Sequence, residues 1–344
     1  MKHNTPENIS TRSIAAWLLL CCIMIYAMVV LGGVTRLTGS GLSMVEWDPV
    51  FGIVPPLSEQ AWQTVFSKYQ ASPEYQKINL GMDLLGFKSI YWFEYAHRVL
   101  GRMIGTVFLL PFLYFLFRKM LPPRLTPRLA LAFVLGGLQG LLGWYMVKSG
   151  LVDNPHVSQY RLTAHLGLAL VIYAWLFWLF LDLVDRQHVI KDSTPFLRRI
   201  SLAILALVAI TITSGGFVAG LKAGHAYNTF PKMGDQWLPP AGWMLQPGWR
   251  NLFENIATVQ FNHRLLAITT LACIVLFGAF NHKRVSALAT RLGIYFLVVI
   301  ACIQASLGIS TLLLHVPVAL AATHQAIAVL LLSSALFVAH RFRA

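Results

Sequence analysis

Eight stretches of almost unbroken apolar residues divide the chain, at about 14–34, 91–117, 128–147, 160–181, 199–219, 257–280, 292–313 and 317–339. Each is close to the ~20 residues that a helix needs to cross the hydrocarbon of a bilayer, so the pattern predicts eight membrane-spanning helices. The polar connections are short except for two, at about 35–90 and 220–256. Within the first, LSEQAWQTVFSKYQ has Ser58 as a cap, Glu59 in the first turn, and Trp62, Phe66 and Tyr69 at three-to-four spacing. A short amphipathic helix is expected there, with its aromatic face on the outer membrane surface or, in the sharper reading, acting as a lid over a site.

Composition agrees with the pattern. The 344 residues are 57% hydrophobic and 12% charged, with a mean hydropathy of +0.64, too apolar for a soluble domain. The fold class is an all-α membrane protein. A net charge of +14 raises the question of nucleic acid, but the distribution points to topology. With a cytoplasmic N-terminus, the inner segments hold Lys2, Arg12, Arg118, Lys119, Arg124, Arg128, Arg186, Lys191, Arg198, Arg199, Lys283, Arg284, Arg291, Arg341 and Arg343. The outer loops, about twice as long in total, hold nine Lys/Arg, which is the positive-inside bias. Both termini are then cytoplasmic, the partner of the positive charge is anionic lipid, and a bacterial inner membrane is the simplest location. Cys21, Cys22, Cys273 and Cys302 all fall in apolar stretches and read as buried small hydrophobes, and no CxxCH motif offers covalent haem attachment. The first thirteen residues lack the pattern of a transit or signal peptide, so the first helix is expected to remain as an anchor.

The chain repeats. GGVTRLTGSGLSMVEWDPVFGIVPP (32–56) parallels GGFVAGLKAGHAYNTFPKMGDQWLPP (215–240), and EYAHRVLG (94–101) parallels QFNHRLLA (260–267). LQGLLGWYM (138–146) then matches IQASLGIST (303–311), and His165 matches His324. Four anchors in one order predict two pseudo-symmetric four-helix bundles, residues 1–182 and 197–344, joined by a hydrophilic cytoplasmic linker at 183–196. Transporters also use repeats, but four helices per half make these parallel, and no span is broken at mid-membrane.

Four of the eleven histidines share one depth. His3, His188, His282 and His340 belong to inner tails, loops or helix ends, where solvation explains them, and His156, His225 and His315 are in or beside outer loops and read as polar loop residues. His97, His165, His263 and His324 lie within the first two turns of the even-numbered spans, which all begin on the outer side. Two facing imidazoles in a bundle can clamp a haem iron. Zinc would need three or four ligands, and a carboxylate-bridged dimetal site would need more acids than Glu94. Bis-histidine haem in each half fits best.

The neighbours extend this reading. Gly101 and Gly105 share the His97 face, leaving room for a flat ring or for helix packing. Arg98, Arg102 and Arg264 are placed for haem propionates or for lipid headgroups, and Gln139 and Gln304 for hydrogen bonds within each half. The halves differ three residues before the helical histidine, where the first has Glu94 and the second Gln260. Residues three apart share a helix face, so Glu94 should look where His97 looks, and an ion pair with Arg98 could coexist with a proton-moving role. The first half reads as reactive, the second as an electron relay.

Taken together, GGVTRLTGSGLSMVEWDPVFGIVPP, FEYAHRVLGR, AGHAYNTFPKMGDQWLPP, FNHRLLA and THQAIAVLLL resemble the haem A synthase family in its mitochondrial and alphaproteobacterial form, over nearly the whole chain. The resemblance implies oxidation of the C8 methyl of haem O to a formyl group, giving haem A for terminal oxidases. It implies a haem b cofactor on His263 and His324, the substrate haem on His97 and His165 with Arg98 nearby, and Glu94 as the catalytic carboxylate. Haem O synthase and oxidase assembly factors are the partners it suggests, beside an electron partner it does not identify. Some bacterial members carry a cysteine pair in the first outer loop; this loop has none. The rival from another class is a di-haem, quinol-linked electron-transfer cytochrome, which has no use for the Glu94/Gln260 difference. A haem transporter or chaperone would need an exit path instead of tight clamps.

Overall fold

The computed structural model describes residues 6–46, 53–151, 155, 157–185 and 194–343. Eight of its helices are long and apolar enough to span a membrane: α1 (Pro6–Leu37), α4 (Leu84–Phe117), α5 (Thr126–Gly150), α6 (Gln159–Val184), α7 (Pro195–Gly220), α9 (Ile256–Asn281), α10 (Leu288–Leu313) and α11 (Val318–Arg341). Shorter helices α2 (Glu59–Gln70), α3 (Pro73–Lys77) and α8 (Asn251–Glu254) lie in the two long connections. Among the described residues there are no strands. Every expected span is present. Most of the linker and His3, His156 and His188 lie outside the described residues.

Local chemistry sets where the helices begin. Asp83 Oδ1 accepts from Gly86 N at 2.8 Å, Thr194 Oγ1 from Leu197 N at 3.2 Å, and Asn255 Oδ1 from Thr258 N at 3.0 Å. Each cap satisfies a backbone N–H that the first turn leaves without a partner. The cap at Asp83 starts α4 two turns before the hydropathy pattern does. Those turns are covered by protein instead of lipid, so their amphipathic sequence hid them.

The cover is α2. Ser58 Oγ accepts from Ala61 N at 3.2 Å, and the face of Trp62, Phe66 and Tyr69 is buried. It packs on Phe87, Ile90 and Tyr91 of α4: Tyr69 stacks on Phe87 at 4.9 Å between ring centres, and Trp62 meets Tyr91 edge-on at 5.0 Å. The aromatic face therefore does not lie on a membrane surface as expected. Burying each ring is worth about 1.5–3 kcal/mol, and α4 offers it a closer-packed partner than headgroups would.

The described chain falls into two compact units, residues 23–169 and residues 1–22 with 170–344. In the first, α4 packs on α5 and α2. In the second, α7, α9, α10 and α11 close a ring, α7 touching α9 and α11 while α10 touches the same two. Two smaller expectations are corrected. Cys273 and Cys302 are exposed on their helices, whereas Cys21 and Cys22 are buried. His340 is not a solvated helix end: it is 1% exposed, with Nε2 3.0 Å from Asp182 and its ring edge-on to Trp178. Beside it Arg341 pairs with Asp185 at 2.6 Å.

Candidate functional site

Each of the four histidines rests on a glycine of a neighbouring helix. A Cβ built on Gly32 of α1 would stand 3.1 Å from His97 Cε1, and one on Gly143 of α5 would stand 3.1 Å from His165 Cε1. In the other unit, Gly215 of α7 meets His263 Cε1 at 3.2 Å and Gly308 of α10 meets His324 Cε1 at 2.9 Å. A side chain at Gly308 would force the ring to shift, and one at the other three positions would require it to give by a few tenths of an ångström. Gly32 and Gly215 open the repeated double glycines, and Gly143 and Gly308 close the repeated Q-x-x-x-G segments. The sequence repeat is thus a repeat of imidazole seats.

Within each unit the two rings are close enough to interact electrostatically, His165 acting on His97 and His324 on His263. The polar company of the rings differs. Gln139 Nε2 lies 3.3 Å from His165 Nε2 and donates to the His165 carbonyl at 3.0 Å, while Gln304 Nε2 lies 3.4 Å from His324 Nε2. Nδ1 of His97, His165 and His324 is buried without a partner. His263 alone of the four is pinned at Nδ1, by Ser214 Oγ at 2.7 Å. That hydroxyl gives its single proton to the Thr211 carbonyl at 2.7 Å, so its oxygen accepts from Nδ1–H. The tautomer is fixed and the Nε2 lone pair is left for a metal.

This donor chemistry fits haem. Among the described residues no group of three or more His, Cys, Asp and Glu is placed to hold a metal ion. Two imidazoles per unit suit an iron that brings its own four equatorial nitrogens, and the glycine seats keep the surrounding helix surface small.

Glu94 and Gln260 occupy matching clamps. Glu94 is 3% exposed. Its Oε2 accepts from Ser43 Oγ at 2.8 Å and Met44 N at 2.9 Å, and its Oε1 from Arg98 Nε at 3.0 Å and Nη2 at 2.5 Å. Arg98, expected at a haem propionate, also donates to the carbonyls of Met44 and Glu46, each at 2.8 Å. Gln260, 2% exposed, donates to the carbonyls of Ala223 and Tyr227 and accepts from Arg264 Nη2 at 3.0 Å. Arg264 in turn donates to the carbonyls of Tyr227, Thr229 and Lys232. Both pairs tie the long loop of their unit to the helix that carries the histidine. Only one of them holds a carboxylate.

Comparison with known proteins identifies the family. The COX15-CtaA family model, described as cytochrome oxidase assembly protein, matches residues 15–336. The chain is 53% identical over 334 residues to the haem A synthase of Nitrosospira multiformis, covering 96% of this chain and 94% of the relative. The chain belongs to the haem A synthase family. It is 49% identical to the haem A synthase of Paramagnetospirillum magneticum over 96% of this chain and 93% of the relative. With the haem A synthase COX15 of Arabidopsis thaliana it shares 46% identity, over 96% of this chain and 74% of that protein.

The six site residues read from the sequence sit in two clusters, one per unit: Glu94, His97, Arg98 and His165 in the first, His263 and His324 in the second. Sequence reasoning missed Ser214 and Ser43. Ser214 had a signal, because the repeat aligns it with Leu31 immediately before the double glycine. Ser43 had none, because its partner is 51 residues away.

Proposed function

We propose that haem O is held as substrate between His97 and His165 and that haem b is the resident cofactor on His263 and His324, the enzyme oxidising the C8 methyl of haem O to the formyl group of haem A. Family membership carries the reaction. One observation supports the division of labour: Ser214 fixes the His263 ring, whereas Leu31 at the matching position offers His97 nothing. A permanent ligand gains from being locked in orientation, while a substrate that must leave is better served by a ligand without such a lock.

Haem b on His263 and His324 would supply one-electron redox chemistry. The protein's own groups do the rest. The glycine seats orient the imidazoles, and the aromatic cluster of α2 and α4 closes the loop side of the first unit against water. Glu94 is the acid–base group. Both oxygens accept hydrogen bonds, Oε1 from the Arg98 guanidinium and Oε2 from Ser43 Oγ and Met44 N; the proton goes to Oε2, whose donors are neutral, because the cation beside Oε1 opposes a proton there. Ser43, which donates to Oε2 while Glu94 is ionised, can rotate to accept once that proton arrives. In this reading Arg98 serves the substrate site by holding Glu94 and the 43–46 backbone, in place of the propionate contact expected of it.

We further infer that residues 1–182 and 197–344 are the substrate and cofactor halves, joined by a linker at 183–196. The protein lies in the inner membrane with both termini cytoplasmic, beside haem O synthase, the oxidase assembly machinery and an electron partner. Single histidine variants test the assignment. His263→Ala or His324→Ala should abolish the low-spin haem b spectrum of the purified protein. His97→Ala or His165→Ala should keep that spectrum and stop conversion of haem O. Loss of haem b in the second pair with retention in the first would reverse the two sites.

A further inference from the structure

Among the described residues one buried acid remains outside the mechanism. Glu74 lies on α3, whose first turn is capped by Ser72 Oγ accepting from Tyr75 N at 3.3 Å. The residue is 6% exposed. Its backbone carbonyl accepts from Ile78 N and Asn79 N at 2.9 and 3.1 Å, but its Oε2 is buried with no hydrogen-bond partner. Glu94 of α4 acts on it electrostatically, and it acts in turn on Tyr69 of α2, whose hydroxyl is already held by Asn79 Nδ2 at 2.8 Å. Tyr75 and Lys77 share its short helix, and Arg98 is committed to Glu94. A carboxylate in such a place would have to be ionised in a protein interior without a donor, which is strongly unfavourable.

We propose that Glu74 is a positioning residue for Glu94: a buried carboxylic acid that keeps its proton so that Glu94 alone carries negative charge against Arg98. This rests on the reading of Glu94 as the acid–base group. Burial, and secondarily the Glu94 charge, push the Glu74 carboxyl up to about 8. When it ionises, a second anion enters the pocket and repels the Glu94 carboxylate, disturbing the Glu94–Arg98 pair on which proton transfer depends. Turnover should therefore fall on the alkaline side with the ionisation of Glu74. The isosteric change to Gln would keep the neutral shape and remove the titration.

Two measurements on the full-length detergent-solubilised enzyme test this. The first is the rate of conversion of haem O against pH, each variant normalised to its own maximum. The wild type should show an alkaline fall with a midpoint near that of Glu74, and Glu74→Gln should lose that fall. A Glu74→Gln profile that superimposes on the wild type would overturn the proposal. The second does not depend on turnover: the infrared band of a protonated carboxyl, followed by pH-difference spectroscopy. The wild type should lose one such band as pH rises through the same midpoint, and Glu74→Gln should lack it. In Glu94→Gln the midpoint should drop, because the neighbouring charge is gone. A band that is absent from the wild type, or whose midpoint Glu94→Gln does not move, would also overturn the pairing. If Glu94→Gln turns over haem O at the full rate, the reading of Glu94 has failed, and the infrared titration still decides the pairing. Should Glu74→Gln fail to fold, Glu74→Asp takes its place, with a displaced midpoint expected and an unmoved one counting against the proposal.

Discussion

Gly308 lies so close beneath His324 that a Cβ there would stand 2.9 Å from the ring's Cε1. It is the tightest of the four seats, so a methyl group at this position cannot be absorbed without moving the imidazole. Gly308→Ala should displace His324 and weaken or abolish the haem b spectrum while the helices persist, at a cost of about 1–3 kcal/mol of stability. Gly215→Ala, with 3.2 Å available at His263, should be milder. Visible spectra and circular dichroism of the two purified variants check the order; an intact haem b spectrum in Gly308→Ala would contradict the seat.

Ser214 and Leu31 allow a reciprocal experiment. Ser214→Ala removes the acceptor that fixes His263 Nδ1–H, and losses of about 10–100-fold in metal-site affinity are typical when such a partner is removed. Haem b should become extractable by a competing apo-haem-binding protein at a faster rate. Leu31→Ser should do the opposite in the first unit, slowing release of the haem held there. Equal haem loss from wild type and Ser214→Ala would remove the basis for distinguishing cofactor and substrate sites.

Much of this was legible in the sequence because the signals are local. Twenty-residue apolar runs gave every span, and counting from the start of a run places a histidine at a depth without tertiary knowledge, except that α4 begins at Leu84, so His97 lies in its fourth turn and not within the first two. The repeat was legible too, but its meaning was not: Gly143 looks like any small residue in a membrane helix until His165 is seen on top of it. Contacts across long separations escaped altogether. The amphipathic face of α2 was read correctly and its partner wrongly, since Trp62 cannot announce from sequence whether it meets lipid or Tyr91. His340 at a basic helix end looked solvated because its partner Asp182 is 158 residues earlier.

Two substitutions separate the structural role of Glu94 from the acid–base role proposed for it. Gln260 shows that a neutral amide can occupy the same kind of clamp beside an arginine. Glu94→Gln should therefore keep most of the stability, retain bound haem and stall product formation. Glu94→Ala removes the clamp as well and leaves the Arg98 guanidinium, whose side chain is 8% exposed, without its carboxylate, a change that costs about 3–5 kcal/mol when a buried pair is broken. Thermal unfolding and pigment chromatography on both variants make the comparison. Normal haem A production by Glu94→Gln would show the charge to be structural only.

Arg341 and Asp185 pair with 4% and 15% of their side chains exposed, and Arg341 Nε also donates to Thr290 at 2.9 Å. Asp185→Ala should lower stability by about 3–5 kcal/mol by leaving a buried guanidinium without its counter-charge. The pair lies at the far end of α11 from His324, so the haem b spectrum of protein purified at low temperature should be unchanged. A spectral loss with unaltered unfolding temperature would assign this cluster to the haem site instead of to the bundle.

Glu74 also makes a prediction about stability. Its carboxyl is raised from an ordinary 4.5 to about 8, chiefly by burial, so the folded state binds that proton more tightly than the unfolded chain does. The corresponding stability is fully present below about 4.5 and is lost as pH rises through about 8. Other groups titrate in the same window, so the informative quantity is a difference. The unfolding temperature of the wild type should fall relative to Glu74→Gln as pH is raised from about 4.5 to about 8, and the two curves should run parallel above that window. Parallel curves throughout would mean that Glu74 is solvated or paired in the folded protein, and the reading of Glu74 as a buried acid would lose its physical basis.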